Sequence, residues 1–150
     1  MKIPHERIQH LINIDKQYKS DGEMLASVYE EFGELARELK IEEKVFGNSH
    51  KSPDEGSKGE AVDLFICSYI VDDVREKYGI MMTNSFHWDD KYKKANVFQL
   101  LRSIPVELNI NAYNVGQTAI NIFIQRGGAQ EEFLSLINKK LDKWESNQKE

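Results

Sequence analysis

The segment Glu60-Ala61-Val62-Asp63-Leu64-Phe65-Ile66-Cys67-Ser68-Tyr69-Ile70-Val71 sets the architecture of the chain, because it is apolar on nearly every side. Apolar side chains recur at helical spacing through it and just beyond it: Val62, Phe65, Ile66, Tyr69, Ile70 and Val74. A helix that is apolar all round lies inside a protein. We therefore predict a central helix from Ser57 to about Tyr78, closed by Gly79.

The flanking sequence predicts helices on both sides of this segment. They run from about Pro4 to Tyr18, from the Ser20-Asp21-Gly22 break to near Phe46, from Asp89 or Asp90 to Pro105, from Asn111 to Arg126 and from Gln130 to Ser146. Pro105 is expected to end its helix because proline lacks a backbone donor and restricts the preceding residue. Residues 47–56 predict an exposed loop, 80–88 a connection, and Gly127-Gly128 a break between the last two helices. Without an alternating strand pattern, the fold class predicted is an all-α bundle of about five to six helices.

Length and composition exclude several classes of protein. The 150 residues contain three prolines and 30% charged side chains, which predicts one folded domain over 1–150. The lone Cys67 excludes an intramolecular disulfide framework. The longest apolar run, Leu64 to Val71, is too short to span a bilayer, and MKIPHERIQHL does not resemble a secretory signal, so we expect a cytoplasmic protein without membrane contact. A net charge of −5 argues against binding a nucleic-acid polymer.

Acidic residues crowd one side of the second predicted helix: Glu30, Glu31, Glu34 and Glu38. Pairs of like charge three or four residues apart destabilise an exposed helix by a few tenths of a kcal/mol each, roughly. A solvated acidic face is the simplest interpretation of this cluster taken alone.

The central helix adds acids that are harder to explain. Asp63 stands among apolar neighbours, where an ionised carboxylate without a partner is costly. Glu60 precedes it by three residues and shares its helical face. Ser57-Lys58-Gly59-Glu60 also reads as a capping box, but a cap explains Glu60 and leaves Asp63 unexplained.

Two antiparallel helices of this kind could direct four carboxylates into one pocket, those of Glu31, Glu34, Glu60 and Asp63. Ligation by oxygen alone suits Mg²⁺, with Mn²⁺ as a possible substitute, better than Zn²⁺. A di-iron bundle would need Glu-x-x-His on two helices, and no His follows a Glu by three residues. We therefore predict a four-helix metal-binding core.

A family resemblance rests on the same residues. Glu30-Glu31-Phe32-Gly33-Glu34, followed after 25 residues by Glu60-Ala61-Val62-Asp63, resembles the EExxE…ExxD signature of the MazG-like all-α nucleoside triphosphate pyrophosphohydrolases. The resemblance implies cleavage of an NTP or dNTP between the α and β phosphates, giving a monophosphate and pyrophosphate. It also implies Mg²⁺ held by the four acids, with Glu34 or Glu31 orienting the attacking water as general base. A homodimer or a dimer of dimers is implied as well.

The last predicted helix carries a basic segment, Asn138 to Trp144, that is similar to one in many MazG-like proteins. It makes Lys140 and Lys143 candidates to bind the β and γ phosphates; a solvated basic helix end is the alternative. The segment departs from the common form at Trp144, where an Asn is frequent. Trp144 and Tyr92 could stack on a base or simply pack.

Other features carry less chemistry. The cluster Lys91, Lys93 and Lys94 is expected at the surface, the four His show no metal spacing, and Cys67 is expected to pack. A non-catalytic helical interaction module with an acidic, cation-binding face remains the competing function. Nothing in the sequence names the preferred base.

Overall fold

The computed structural model describes residues 1–45, 56–76 and 85–148. In these ranges it contains six α-helices and no strand, which confirms the all-α prediction. The helices are α1 (His5–Asp15), α2 (Asp21–Glu42), α3 (Gly56–Val71), α4 (Val97–Ile110), α5 (Ala112–Gln125) and α6 (Gln130–Gln148).

Helix α3 lies at the centre of the fold, as its composition predicts. It packs against α1, α2, α5 and α6. Nearly all of its side chains are buried, and Asp63 and Glu60 are among the few that keep some exposure. Packing against four helices explains why most of this helix is apolar.

The α-helical part of this segment ends earlier than predicted. A five-residue π-helical turn, Asp72–Glu76, follows Val71 directly, and the predicted end at Tyr78 lies outside the described residues. Asp73 in this turn contacts Lys16 Nζ at 2.9 Å and accepts a hydrogen bond from Gln9 Nε2 at 2.9 Å. The wider turn thus joins the end of α3 to α1.

The junction of α1 and α2 also differs from the prediction. Helix α1 ends at Asp15, and Tyr18 is 81% exposed in the turn that follows, so Tyr18 does not belong to the apolar stripe. Ser20 then begins α2 with a complete capping box, its hydroxyl accepting from Glu23 N while Glu23 reaches back to Ser20 N. The predicted end of α2 near Phe46 lies beyond the described range, and the helix itself ends at Glu42.

Pro105 does not end its helix, contrary to the sequence-based expectation. Asp89 caps only the short 3₁₀ turn Asp90–Lys94, and Asn96 caps α4, which continues through Pro105 to Ile110. Burial on both sides of the proline, at Ile104 and Leu108, outweighs the one lost backbone hydrogen bond.

The glycine pair separates α5 from α6, as predicted. Gly127 has a φ of 84°, in the left-handed region that favours glycine. A Cβ at Gly128 would lie 2.1 Å from Phe123 Cε1, so only glycine lets the chain turn against that ring. None of the described helices has the length and apolar composition that crossing a bilayer requires.

Candidate metal centre

A cavity of about 650 Å³ opens between four helices, α1, α2, α3 and α6. Acidic, apolar and basic side chains line it, and the basic ones include two lysines of α6. All six site residues predicted from the sequence line it: Glu31, Glu34, Glu60, Asp63, Lys140 and Lys143. The fold therefore brings together residues that are up to 112 positions apart in the chain, from 31 to 143.

Three of the carboxylates converge closely. One oxygen each of Glu31, Glu60 and Asp63 lies within 4.8 Å of the others. Glu60 and Asp63 share a face of α3 because they are three residues apart, and Glu31 approaches from α2. A single cation can contact three oxygens in such an arrangement.

Hydrogen bonds between α2 and the start of α3 explain why Glu60 does not act as a helix cap. The backbone N–H of Ser57 donates to Glu42 Oε2 at 2.7 Å, and the Ser57 hydroxyl donates to Glu42 Oε1 at 2.6 Å. Glu42, at the end of α2, therefore supplies the acceptor that a capping box would have taken from Glu60. Glu60 lines the cavity instead.

The electrostatics of the cluster favour a cation. Burial, followed by the charge of Asp63, raises the pKa of Glu31 to about 8 and the pKa of Glu60 to about 9. Oε2 of each residue is buried and has no hydrogen-bond partner among the described residues. Without a metal, Glu31 and Glu60 hold protons at neutral pH; a divalent cation would replace these protons and supply the missing partners.

Glu34 lies beside the three converging carboxylates. It lines the cavity, and its charge contributes to the raised pKa values of Glu31 and Glu60. Its oxygens are not among the three within 4.8 Å. Glu30, the other acid of the EExxE pattern, is exposed and does not line the cavity.

Glu38 is a cavity residue that the sequence analysis placed in the acidic cluster but did not predict as a site residue. It is only 4% exposed, its Oε2 has no hydrogen-bond partner among the described residues, and Arg37 is 3.9 Å from its other oxygen. Its position four residues after Glu34 was the available signal. Because Glu38 is buried, it does not belong to the solvated acidic face that this spacing ordinarily indicates.

The two lysines of α6 differ in their surroundings. Lys140 Nζ lies 3.0 Å from Asp63 Oδ1, and only 13% of the lysine side chain is exposed. Lys143 is exposed, although it also lines the cavity. The interpretation as a solvated helix end therefore fails for Lys140.

The second basic cluster lies elsewhere, in the 3₁₀ turn Asp90–Lys94. Lys91 is paired with Asp89 and Lys93 with Asp90, and Lys94 is exposed. None of these lysines lines the cavity, which agrees with a surface position.

The apolar side chains that line the cavity come from three helices. They are Met24 of α2, Ile66, Cys67 and Ile70 of α3, and Trp144 of α6. Burial raises the pKa of the Cys67 thiol well above its usual value, which fits packing rather than nucleophilic chemistry. Tyr92, the other aromatic candidate for base stacking, packs against the core away from the cavity.

Asp15 is a second residue that sequence reasoning missed. It is buried at the end of α1, lines the cavity, and accepts hydrogen bonds from Trp144 Nε1 at 3.1 Å and Gln148 Nε2 at 2.7 Å. Lys19 Nζ lies 3.3 Å from its Oδ2. No local pattern could reveal contacts between residues 129 positions apart.

Comparison with known proteins adds no family to this description. No protein-family model, no curated protein and no solved structure matches the chain. The interpretation of the site therefore rests on its own residues and on their spacing in the sequence.

Proposed function

We propose that this chain is a Mg²⁺-dependent nucleotide pyrophosphohydrolase of the MazG-like type, which cleaves an NTP or dNTP to a monophosphate and pyrophosphate. The observation that carries the proposal is the convergence of Glu31, Glu60 and Asp63 oxygens within 4.8 Å in a cavity that also contains Lys140 and Lys143. Acidic side chains that can bind a metal and lysines that can bind phosphate thus line the same cavity.

The cluster fits Mg²⁺ by the chemistry of its donors. Carboxylate oxygens are the ligands that Mg²⁺ and Mn²⁺ prefer, and none of the described lining residues is a histidine. Glu31, Glu60 and Asp63 would hold the ion, with Glu34 completing the set. When bound, the ion neutralises phosphate oxygens and polarises phosphorus for attack.

The protein's own acids also serve the attacking water. Glu34 lines the cavity without contributing to the three closest oxygens, so its carboxylate can accept a proton from water beside the metal ligands. Glu31 is the second candidate for general base.

The remaining walls suit the rest of a nucleotide. Lys140 and Lys143 supply charge for the β and γ phosphates, and their contacts strengthen as pyrophosphate leaves. Trp144 and the neighbouring apolar side chains Met24 and Ile70 offer a surface on which a base can stack.

The resemblance further implies a homodimer or a dimer of dimers. Val106 and Ile110 support self-association, because they lie one turn apart on α4 and are 60% and 72% exposed. Light scattering coupled to gel filtration measures the mass in solution and tests this assembly.

The direct test of function is pyrophosphate release from a panel of NTPs and dNTPs, with Mg²⁺ and with EDTA. We expect release only with the metal, and a preference among bases that identifies the substrate. Mg²⁺-dependent nucleotide binding without turnover would instead support the non-catalytic helical module.

A further inference from the structure

We infer that Lys140 is an internal counterion of the carboxylate cluster, which a divalent cation displaces from Asp63 and thereby makes available to phosphate. The inference rests on the metal site of the proposed function and adds an order of events to it. Metal binding would come first, and the phosphate-binding lysine would be released by it.

The contact that carries this inference is a largely buried ion pair. Lys140 Nζ lies 3.0 Å from Asp63 Oδ1, with 13% of the lysine side chain and 24% of the aspartate side chain exposed. A charged group held away from water needs a partner of opposite sign. In this structure, the ammonium group of Lys140 contacts a carboxylate that belongs to the candidate metal cluster.

The competition follows from the double role of Asp63. The same carboxylate lies within 4.8 Å of the Glu31 and Glu60 oxygens that would hold the metal. An ion bound there would place two positive charges beside the ammonium group, and like charges at this range repel strongly where water is scarce. Lys140 and the metal therefore compete for the Asp63 carboxylate.

Thermodynamic linkage makes this opposition measurable. If metal binding weakens the contact between Lys140 and Asp63, removing the lysine charge must strengthen metal binding by the same coupling. Substitution of a lysine that contacts only phosphates would leave the affinity for metal unchanged. Lys143 provides the matched control, because it lines the same cavity on the same helix and forms no ion pair among the described residues.

The experiment is calorimetric titration of MgCl₂, and separately MnCl₂, into the nucleotide-free protein at one fixed pH. Lys140→Gln should bind each metal roughly tenfold more tightly than wild type, within the usual range of coupling between sites. Lys143→Gln should stay within about twofold of wild type. Equal or weaker binding by a folded Lys140→Gln protein, or no metal binding in any of the three proteins, would overturn the inference.

A second measurement on the wild-type chain covers the case in which Lys140→Gln fails to fold. The side-chain ammonium resonance of Lys140, assigned by NMR, should move on Mg²⁺ saturation toward that of a solvated lysine. An unmoved resonance at saturating metal overturns the inference. Tighter metal binding by Lys140→Gln in a protein that releases no pyrophosphate would support the counterion role while contradicting the proposed function.

Discussion

Trp144 and Asp15 both line the cavity and are joined by a hydrogen bond of 3.1 Å from the indole Nε1 to Oδ2. Gln148 Nε2 donates to the other Asp15 oxygen at 2.7 Å, which holds the carboxylate in place. The end of α1 therefore holds an aromatic side chain of α6 in the lining of the cavity.

This contact predicts a role for Trp144 in substrate affinity. Trp144→Ala should raise KM for the preferred nucleotide at least about fivefold, because stacking of a base on an aromatic ring contributes about 1–3 kcal/mol. The affinity for Mg²⁺ should remain within about twofold, because the indole donates its hydrogen bond to Asp15 and supplies no metal ligand. Trp144→Phe, which keeps a stacking ring, should recover most of the loss; an unchanged KM in the alanine variant would move the base to another part of the cavity.

The carboxylate cluster predicts which acids are essential for turnover. Glu31→Gln and Asp63→Asn should each lower kcat by roughly 100-fold or more, because each keeps the shape of the side chain and removes a ligand charge. Glu30→Gln is the matched control, since this neighbouring acid is exposed outside the cavity, and it should behave as wild type. Circular dichroism checks that helix content is retained; near-normal turnover in both cluster variants would refute the ligand assignment.

The raised pKa values of Glu31 and Glu60 predict how stability depends on pH without metal. In the unfolded chain these carboxyls ionise near 4.5, whereas in the folded chain they stay protonated to about 8 and about 9. The folded state therefore binds more protons in this window, and the free energy of unfolding should fall as the pH rises from about 5 to about 9. Below about 4.5 the contribution is complete, and above about 9 it is lost.

Urea unfolding in EDTA at several pH values measures this dependence. Glu31→Gln should show a smaller fall than wild type, because one of the two responsible groups no longer titrates. The pKa of Glu60 should also be raised less in this variant, because the Glu31 charge is one of the causes of its shift, and this reduces the fall further. Identical slopes in the two proteins would mean that the Glu31 carboxyl is not held in its protonated form.

Lys143 is predicted to act on the phosphates alone. Lys143→Ala should lower kcat/KM roughly tenfold, the scale of one charge-assisted contact, while leaving the melting temperature and the affinity for Mg²⁺ unchanged. Lys93→Ala, in the exposed 3₁₀ turn, is the control and should leave kcat/KM unaltered. Equal kinetics in both variants would leave phosphate binding to the other lysines that line the cavity, Lys140 and Lys19.

Local sequence signals predicted a large part of the fold and of the site. Apolar spacing located the helices, and the three-residue spacing of Glu60 and Asp63 placed both acids on one face of α3. Asp63 was informative because an acid in an apolar helix needs a partner wherever that helix packs. These inferences needed no knowledge of which helices meet.

Contacts between distant helices account for what the sequence could not reveal. Lys140 reaches Asp63, and Asp15 reaches Trp144, only because α6 packs beside both α3 and α1. The error at Pro105 has the same origin, since burial of flanking side chains decided whether that helix continued. Propensity describes the isolated segment, and tertiary packing can override it.

The measurement that tests the central claim most directly is chromatography of the products formed from the preferred triphosphate, with Mg²⁺ and with EDTA. Cleavage between the α and β phosphates predicts a monophosphate and pyrophosphate as the first products, only with Mg²⁺, and their loss in Glu31→Gln. A diphosphate and orthophosphate as first products, or turnover that persists in EDTA, would contradict the account.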